Sequence, residues 1–143
     1  MTLSDPAPTD PALADNLVHR VNVGDSLTRT ASRHPGRCAV VDGERRWTYR
    51  ELNAWVNRLA HGLLERGYAR GDALALASGN SAEFLAVYYA CTKIGVVCVP
   101  VNLGWRPDEV AYVLRHSGAR PADIVNIRAT VSVSWVAGPP LAP

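Results

Sequence analysis

Lysine is almost missing from this chain: Lys93 is the single lysine among fifteen basic residues, and the other fourteen are arginine. Chemistry that needs a lysine amine therefore has one candidate. Cysteine is also scarce. Cys38, Cys91 and Cys98 are odd in number and contain no Cys-x-x-Cys pair, which argues against both a disulfide framework and a zinc site. Three reduced, mostly buried thiols in a cytoplasmic protein are expected instead. Charge of one sign is lacking too. A formal net charge of +2 gives no electrostatic footprint for nucleic acid, and with 48% hydrophobic residues the chain has enough apolar content to fold. The opening fifteen residues are acidic and proline-rich. They lack the basic and apolar regions of a secretory leader, so none is expected.

What is present is unevenly spread. Pro6, Pro8 and Pro11 lie near the start, Pro121, Pro139, Pro140 and Pro143 near the end, and only Pro35, Pro100 and Pro107 between them. Ten of the eleven glycines fall in that middle stretch, mostly where a helix or turn should stop. Three regions are expected: a disordered tail over 1–21, a folded segment over 22–120, and a divergent, disordered or weakly structured tail over 121–143. The longest apolar run, residues 84–103, approaches the twenty residues of a membrane span. Lys93 at its centre, Gly95 after it and the β-rich run at 96–99 point instead to a buried helix followed by a buried parallel strand. No membrane span is expected.

The middle reads as alternating elements. Asp25 or Ser26 can cap a helix to about Arg33, with Leu27, Thr30 and Ala31 on one face. Residues 38–41 read as a strand, Asp42-Gly43 as a tight turn and 45–47 as the returning strand. Thr48 and Glu51 have capping-box spacing ahead of the clearest helix. Its apolar face carries Tyr49, Leu52, Trp55, Val56, Leu59, Ala60, Leu63 and Leu64, and Gly67 ends it. Residues 73–77 form a short apolar strand. Asn80, with Glu83 three residues on, can cap the next helix, which Gly95 stops before a strand at 96–99. Strand, helix and strand in that order make a βαβ unit, hence a mostly parallel sheet covered by helices. Pro107 opens a last helix with Asp108 and Glu109 in its first turn and Arg115 and His116 before Gly118, charges that suit each end of its dipole.

These elements carry a resemblance. Trp47-Thr48-Tyr49-Arg50-Glu51-Leu52, Asn57-Arg58-Leu59-Ala60, Gly62-Leu63 and Gly71-Asp72 resemble the opening of the adenylate-forming (AMP-binding) acyl-CoA synthetases, including fatty-acid–CoA ligases. Asn80-Ser81-x-Glu83-Phe84, the run Lys93-x-Gly95-x-x-x-x-Pro100-x-Asn102 and the helix from Glu109 to its Ser117-Gly118-Ala119 turn continue the pattern, in order, across 22–120. Asn102 after Pro100-Val101 suits a carboxylate–CoA ligase better than a peptide-synthetase adenylation domain, which tends to have Asp there. The resemblance implies an α/β fold, the N-terminal and incomplete part of the family's large domain, built of βαβ units. It also implies ancestry in an enzyme that joins a carboxylate to the α-phosphate of ATP, releases pyrophosphate and passes the acyl group to CoA, with ATP, Mg and CoA as the intact family's cofactors.

Such chemistry needs donors and cations aimed at phosphate oxygens. In the family they come from a Ser/Thr/Gly-rich loop ending in Lys-Gly, a Thr-Glu pair, a ribose-binding Asp and a C-terminal Lys, all downstream of the matched region. Substitutes are wanting here. Gly62 and Gly67 have P-loop spacing, but Tyr68-Ala69 stand where Lys-Ser/Thr is required. Lys93 reads as a snorkelling or dipole-pairing residue. His19, His34, His61 and His116 are scattered without metal-ligand spacing. Ser26, Ser32, Ser78 and Ser81 fall near caps and turns, Trp47, Trp55 and Trp105 are expected to pack or cover the core, and Arg45-Arg46 to be a solvated hairpin end. No catalytic, cofactor-binding or metal-binding residue is assigned, and no cofactor is expected on this chain alone.

After Arg120 the resemblance stops, and residues 124–136, although they could form a strand, fit nothing in the family's pattern. A shifted or truncated reading frame near residue 120 is one expectation, testable by resequencing. Three readings follow: an acyl-CoA synthetase fragment inactive by itself, a small non-enzymatic interaction module partnering the rest of the enzyme or a full-length homologue, and a fragment of a peptide-synthetase adenylation domain. The acyl substrate is not legible.

Overall fold

The computed structural model describes residues 23–119, 124–127 and 133–136. The expectations for His19, for the 1–21 tail and for much of the 121–143 tail lie outside the described residues.

Helix α1 (Val23–Arg33) buries Leu27 and Ala31 and exposes Arg29 and Arg33. Strands β1 (Cys38–Asp42) and β2 (Arg45–Thr48) pair antiparallel through the Asp42-Gly43 turn. Helix α2 (Tyr49–Glu65) starts as its capping box requires. The Glu51 backbone N–H donates to Thr48 Oγ1 at 3.3 Å, and the Glu51 carboxylate accepts from the Thr48 backbone N–H at 2.8 Å. Leu52, Val56, Ala60 and Leu63, spaced by three and four, are its buried stripe. Leu64, placed on that face by periodicity, is 47% exposed at its margin.

Next come β3 (Ala73–Ser78), α3 (Ala82–Ile94), β4 (Val97–Val101), α4 (Pro107–Ser117), β5 (Ile124–Ile127) and β6 (Val133–Val136). The sheet order is β4-β3-β5-β6. β3 runs parallel to both neighbours, with Leu76 opposite Pro100 on one side and Val125 on the other, and β6 closes antiparallel on β5. The strand expected at 96–99 runs instead over Val97–Val101, at the end of the sheet order with Val97 54% exposed and so not buried as expected. Residues 124–127 and 133–136 are strands of the same sheet. The 84–103 run divides between α3 and β4, and no helix among the described residues is long and apolar enough to cross a membrane.

β3 is the axis of the core. Every residue from Ala73 to Ala77 is buried, as expected for a strand covered on both faces. Its leucines, Leu74 and Leu76, are fully buried in a cluster with Leu27, Val56, Leu63, Ala86, Ala90 and Cys91 from α1, α2 and α3. Its alanines, Ala73, Ala75 and Ala77, face a smaller cluster with Val101, Leu114 and Ala119. Helices α3 and α4 therefore cover opposite faces of one sheet.

Candidate functional site

In parallel α/β sheets ligands sit beyond the carboxyl ends of the strands. Here those ends are Ser78-Gly79-Asn80 after β3 and Asn102-Leu103-Gly104 after β4. Both are turns with local bonding. Ser78 Oγ donates to the Gly79 carbonyl at 2.8 Å. The Asn102 side-chain carbonyl accepts from the Gly104 backbone N–H at 2.9 Å, and the Trp105 N–H donates to the Asn102 carbonyl at 3.2 Å. Asn102 thus folds the chain out of β4 toward α4. Asn80 does not cap α3. Ser81 holds that position, its hydroxyl accepting from the Phe84 backbone N–H at 3.1 Å, so the cap lies one residue later than spacing suggests.

Glu83, freed from capping, joins an ion cluster. Arg45 reaches Glu83 Oε1 at 2.5 Å and Asp42 Oδ2 at 2.7 Å, and Asp42 Oδ2 also accepts from the Ala82 backbone N–H at 3.1 Å. The Ala82 N–H, aided by Arg45, holds the Asp42 carboxyl below its usual range, while Arg45 does the same for Glu83. Glu83 in turn raises the Arg45 pKa. The guanidinium also lies 5.1 Å from the centroid of Trp47, which stacks on Trp55 at 5.7 Å. Arg45 is therefore an exposed hairpin-end residue that also pairs across to α3; Arg46 beside it is exposed and lies at the same hairpin end. Trp47 and Trp55 are partly buried against the larger cluster, and Trp105 is 37% exposed.

Lys93 departs from the snorkelling expectation. Its ammonium donates to Thr28 Oγ1 at 2.8 Å, Asn53 Oδ1 at 2.7 Å and Asn57 Oδ1 at 2.7 Å, which uses all three of its protons across α1 and α2. Burial lowers its pKa, and Asp25 works against that shift. A Cβ on Gly24 would stand 2.6 Å from Lys93 Cγ and 2.8 Å from its backbone nitrogen, so α1 docks here because residue 24 has no side chain. Nothing local in the sequence signals this knot, since Thr28, Asn53 and Asn57 meet Lys93 only after folding.

The remaining candidates separate. Gly62 lies inside α2 and Tyr68, where a P-loop would carry its lysine, is 2% exposed in the core, which rules out a phosphate loop there. His34 and His61 are exposed on a turn and a helix, and His116 stacks on Tyr112 at 5.7 Å. Among the described residues no three His, Cys, Asp or Glu side chains gather as a metal site. Of the thiols, Cys38 is exposed, Cys91 buried and Cys98 intermediate, so one and not most is fully buried. A hydrogen bond with Cys98, reinforced by burial, pushes the Cys91 pKa up and keeps that thiol protonated. The Gly-Asp pair before β3 works as a brace: the Gly71 N–H donates to the Gly95 carbonyl at 2.9 Å and the Val97 N–H to the Asp72 carbonyl at 2.8 Å. Gly95 sits at φ 75°, with Arg70 Cγ 2.9 Å from where a Cβ would be. The motif residues thus set strand and helix ends.

A parallel sheet with a helix layer on each face and turns at its strand ends defines the class as an α/β scaffold. Comparison with known proteins identifies which one. The model of the AMP-binding enzyme family matches residues 27–129, and the chain belongs to that family. YngI of Bacillus subtilis, a putative acyl-CoA synthetase, is 38% identical over 105 residues, covering 72% of this chain and 19% of that protein. Phosphinothricin tripeptide synthetase PhsC of Streptomyces viridochromogenes is 34% identical over 107 residues, 75% of this chain and 10% of its own length. The solved structure of a Mycobacterium tuberculosis fatty acyl CoA synthetase superposes with a TM-score of 0.70 at 36% identity, covering 73% of this chain and 21% of that one. The chain corresponds to the N-terminal part of such enzymes and spans about a fifth of the length of its acyl-CoA synthetase relatives. The matched span runs nine residues beyond Arg120, so the resemblance does not stop there as the sequence motifs suggest.

Proposed function

We propose that these 143 residues serve as the N-terminal scaffold of a carboxylate–CoA ligase and do not carry out adenylation by themselves. The carrying observation is the fate of the family motifs: Thr48 and Glu51 cap α2, Gly71, Asp72 and Gly95 brace β3 against β4, and Asn102 turns the chain toward α4. Each of these holds the end of a helix or strand. In the intact enzyme ATP, Mg and CoA would be held by residues outside these 143, and the partner of this segment is the remainder of that enzyme or a full-length homologue. A cytoplasmic setting and fatty-acid substrates belong to this proposal, supported by reduced thiols and by the fatty acyl relatives. The family match through residue 129 and the pairing of residues 124–127 with β3 argue against a shifted or truncated reading frame near residue 120.

The purified chain with ATP, Mg, CoA and a panel of carboxylates is expected to release no pyrophosphate above background, whereas turnover overturns the scaffold reading. The peptide-synthetase relative favours a second reading, a segment of an amino-acid-activating domain. Joining the chain to the downstream part of a fatty acyl CoA synthetase and comparing fatty acids with amino acids as pyrophosphate-release substrates separates the two.

A further inference from the structure

Cys91 and Cys98 belong to consecutive elements and meet inside the leucine-face cluster. Cys91 lies in the last turns of α3 and is fully buried, while Cys98 packs against the same cluster from β4. The chain turns between them at Gly95, and the Val96 N–H donates to the Cys91 carbonyl at 2.9 Å, so the approach to β4 is fastened to the backbone of Cys91 itself. From there β4 runs parallel to β3 with Cys98 opposite Leu74, the leucine of the same cluster. Alternation along the strand turns Cys98 toward α3, where its sulfur and that of Cys91 share a hydrogen bond.

The two thiols are unequally placed. Cys98 is partly exposed on a strand that ends the sheet order, next to exposed Val97, and no strand among the described residues lies on its outer edge. A small solute can therefore reach the Cys98 sulfur, whereas Cys91 is sealed in the core. The Cys91 S–H also lowers the Cys98 pKa, against the opposite pull of burial, and the thiolate is the nucleophilic form of cysteine. Reversible oxidation of a thiol needs a second thiol within reach to resolve it, and Cys91, kept protonated beside Cys98, is so placed. Cys38 offers a comparison within the same chain. It is exposed on β1, and its S–H donates to the Val40 carbonyl at 3.6 Å.

We propose that Cys91 and Cys98 form a peroxide-reactive pair, in which Cys98 is oxidised first and Cys91 resolves it to a disulfide joining α3 to β4 across the Gly95 turn. The Cys98 thiolate attacks one oxygen of hydrogen peroxide, the O–O bond breaks, and the departing hydroxide leaves as water with the proton that Cys98 gave up. The Cys91 sulfur then attacks the sulfur of the Cys98 sulfenic acid. The S–O bond breaks, and the hydroxyl leaves with the Cys91 proton as a second water. The two thiols together lose two electrons and the peroxide gains them. This does not depend on the ligase reading. The test treats the full chain with stepwise additions of hydrogen peroxide, alkylates the remaining thiols in denaturant, and reads the mass before and after trypsin. The expected result is the loss of two hydrogens and of two alkylatable thiols, with Cys38 still alkylated. Lys93 is a trypsin site between the two cysteines, so Gly71–Lys93 and the peptide beginning at Ile94 should appear as one linked species that a reductant separates. Cys91→Ser should leave Cys98 as a sulfenic acid that dimedone traps, and Cys98→Ser should leave Cys91 unoxidised by the same additions. The measurement on the unmodified chain stands even where a variant fails to fold. Alkylation of all three thiols after treatment, oxygen added to Cys98 without the linked peptide, Cys38 consumed first, or a linkage between two chains overturns the proposal.

Discussion

The two faces of β3 are built from the same strand but not to the same depth. On one, Leu74 and Leu76 meet side chains from α1, α2 and α3 in a broad cluster that includes Val56, Leu63 and Tyr68. On the other, Ala73, Ala75 and Ala77 meet Val101, Leu114 and Ala119, with Val99 and Val110 alongside. Alternate residues of a strand point to opposite faces, so the repeat Ala-Leu-Ala-Leu-Ala assigns bulk to one side and close approach to the other. The leucine face holds the greater part of the hydrophobic stabilisation, at about 1.5–3 kcal/mol for each large side chain buried. The alanine face lets α4 lie close to the sheet with little apolar mass behind it.

That inequality can be measured. Leu76→Ala is expected to cost about 4 kcal/mol in urea denaturation, because Leu76 is fully buried among side chains that have little room to collapse. Leu114→Ala, among smaller neighbours on the other face, is expected to cost about 2 kcal/mol. Equal losses would mean that α4 carries as much of the core as α2 and α3 together. Lys93→Met removes one hydrogen bond from α3 to α1 and two to α2, and leaves the oxygens of Thr28, Asn53 and Asn57 without their donor. A loss of about 2 kcal/mol is expected, with hydrogen exchange accelerated in α1 before it changes in α4.

The smallest effect is acid sensitivity. The Asp42 and Glu83 carboxyls titrate below their ordinary values of 3.8 and 4.5 in the folded chain, so as pH falls through that range the unfolded chain takes up protons first and stability declines. Arg45→Met should flatten that decline below about pH 4.5 while leaving neutral-pH stability little changed, since Arg45 is half exposed and its pairs are screened by solvent. An unchanged acid limb in the Arg45→Met protein would show that backbone N–H groups, that of Ala82 for Asp42 and its own for Glu83, hold these carboxyls without Arg45.

The sequence was most legible where structure is local. Thr48 with Glu51, the three-and-four spacing of Leu52, Val56 and Leu63, and Pro107 ahead of two acids all act within one or two turns, and each stands where spacing places it. It misled where two local solutions compete or where partners are distant. Asn80 and Ser81 both suit a cap, and the choice falls to Ser81 because Glu83 is drawn away by Arg45, thirty-eight residues earlier in the chain. Strands β5 and β6 were hard to read because four-residue strands have too few positions to show a period, and β5 gains its pairing from β3. Of the candidate site, the exclusion of a phosphate loop at Gly62 was legible from Tyr68, while the Lys93 knot was not, its acceptors being thirty-six to sixty-five residues away.

The Lys93 arrangement has a practical side. It is the chain's single side-chain amine, and its nitrogen is shared among one oxygen of α1 and two of α2. A reagent or modifying enzyme that seeks lysine must compete with those three acceptors for the amine. Acylation there would break the bonds that join α3 to α1 and α2 at a single position, a selectivity that a lysine-rich protein of the same fold would lack.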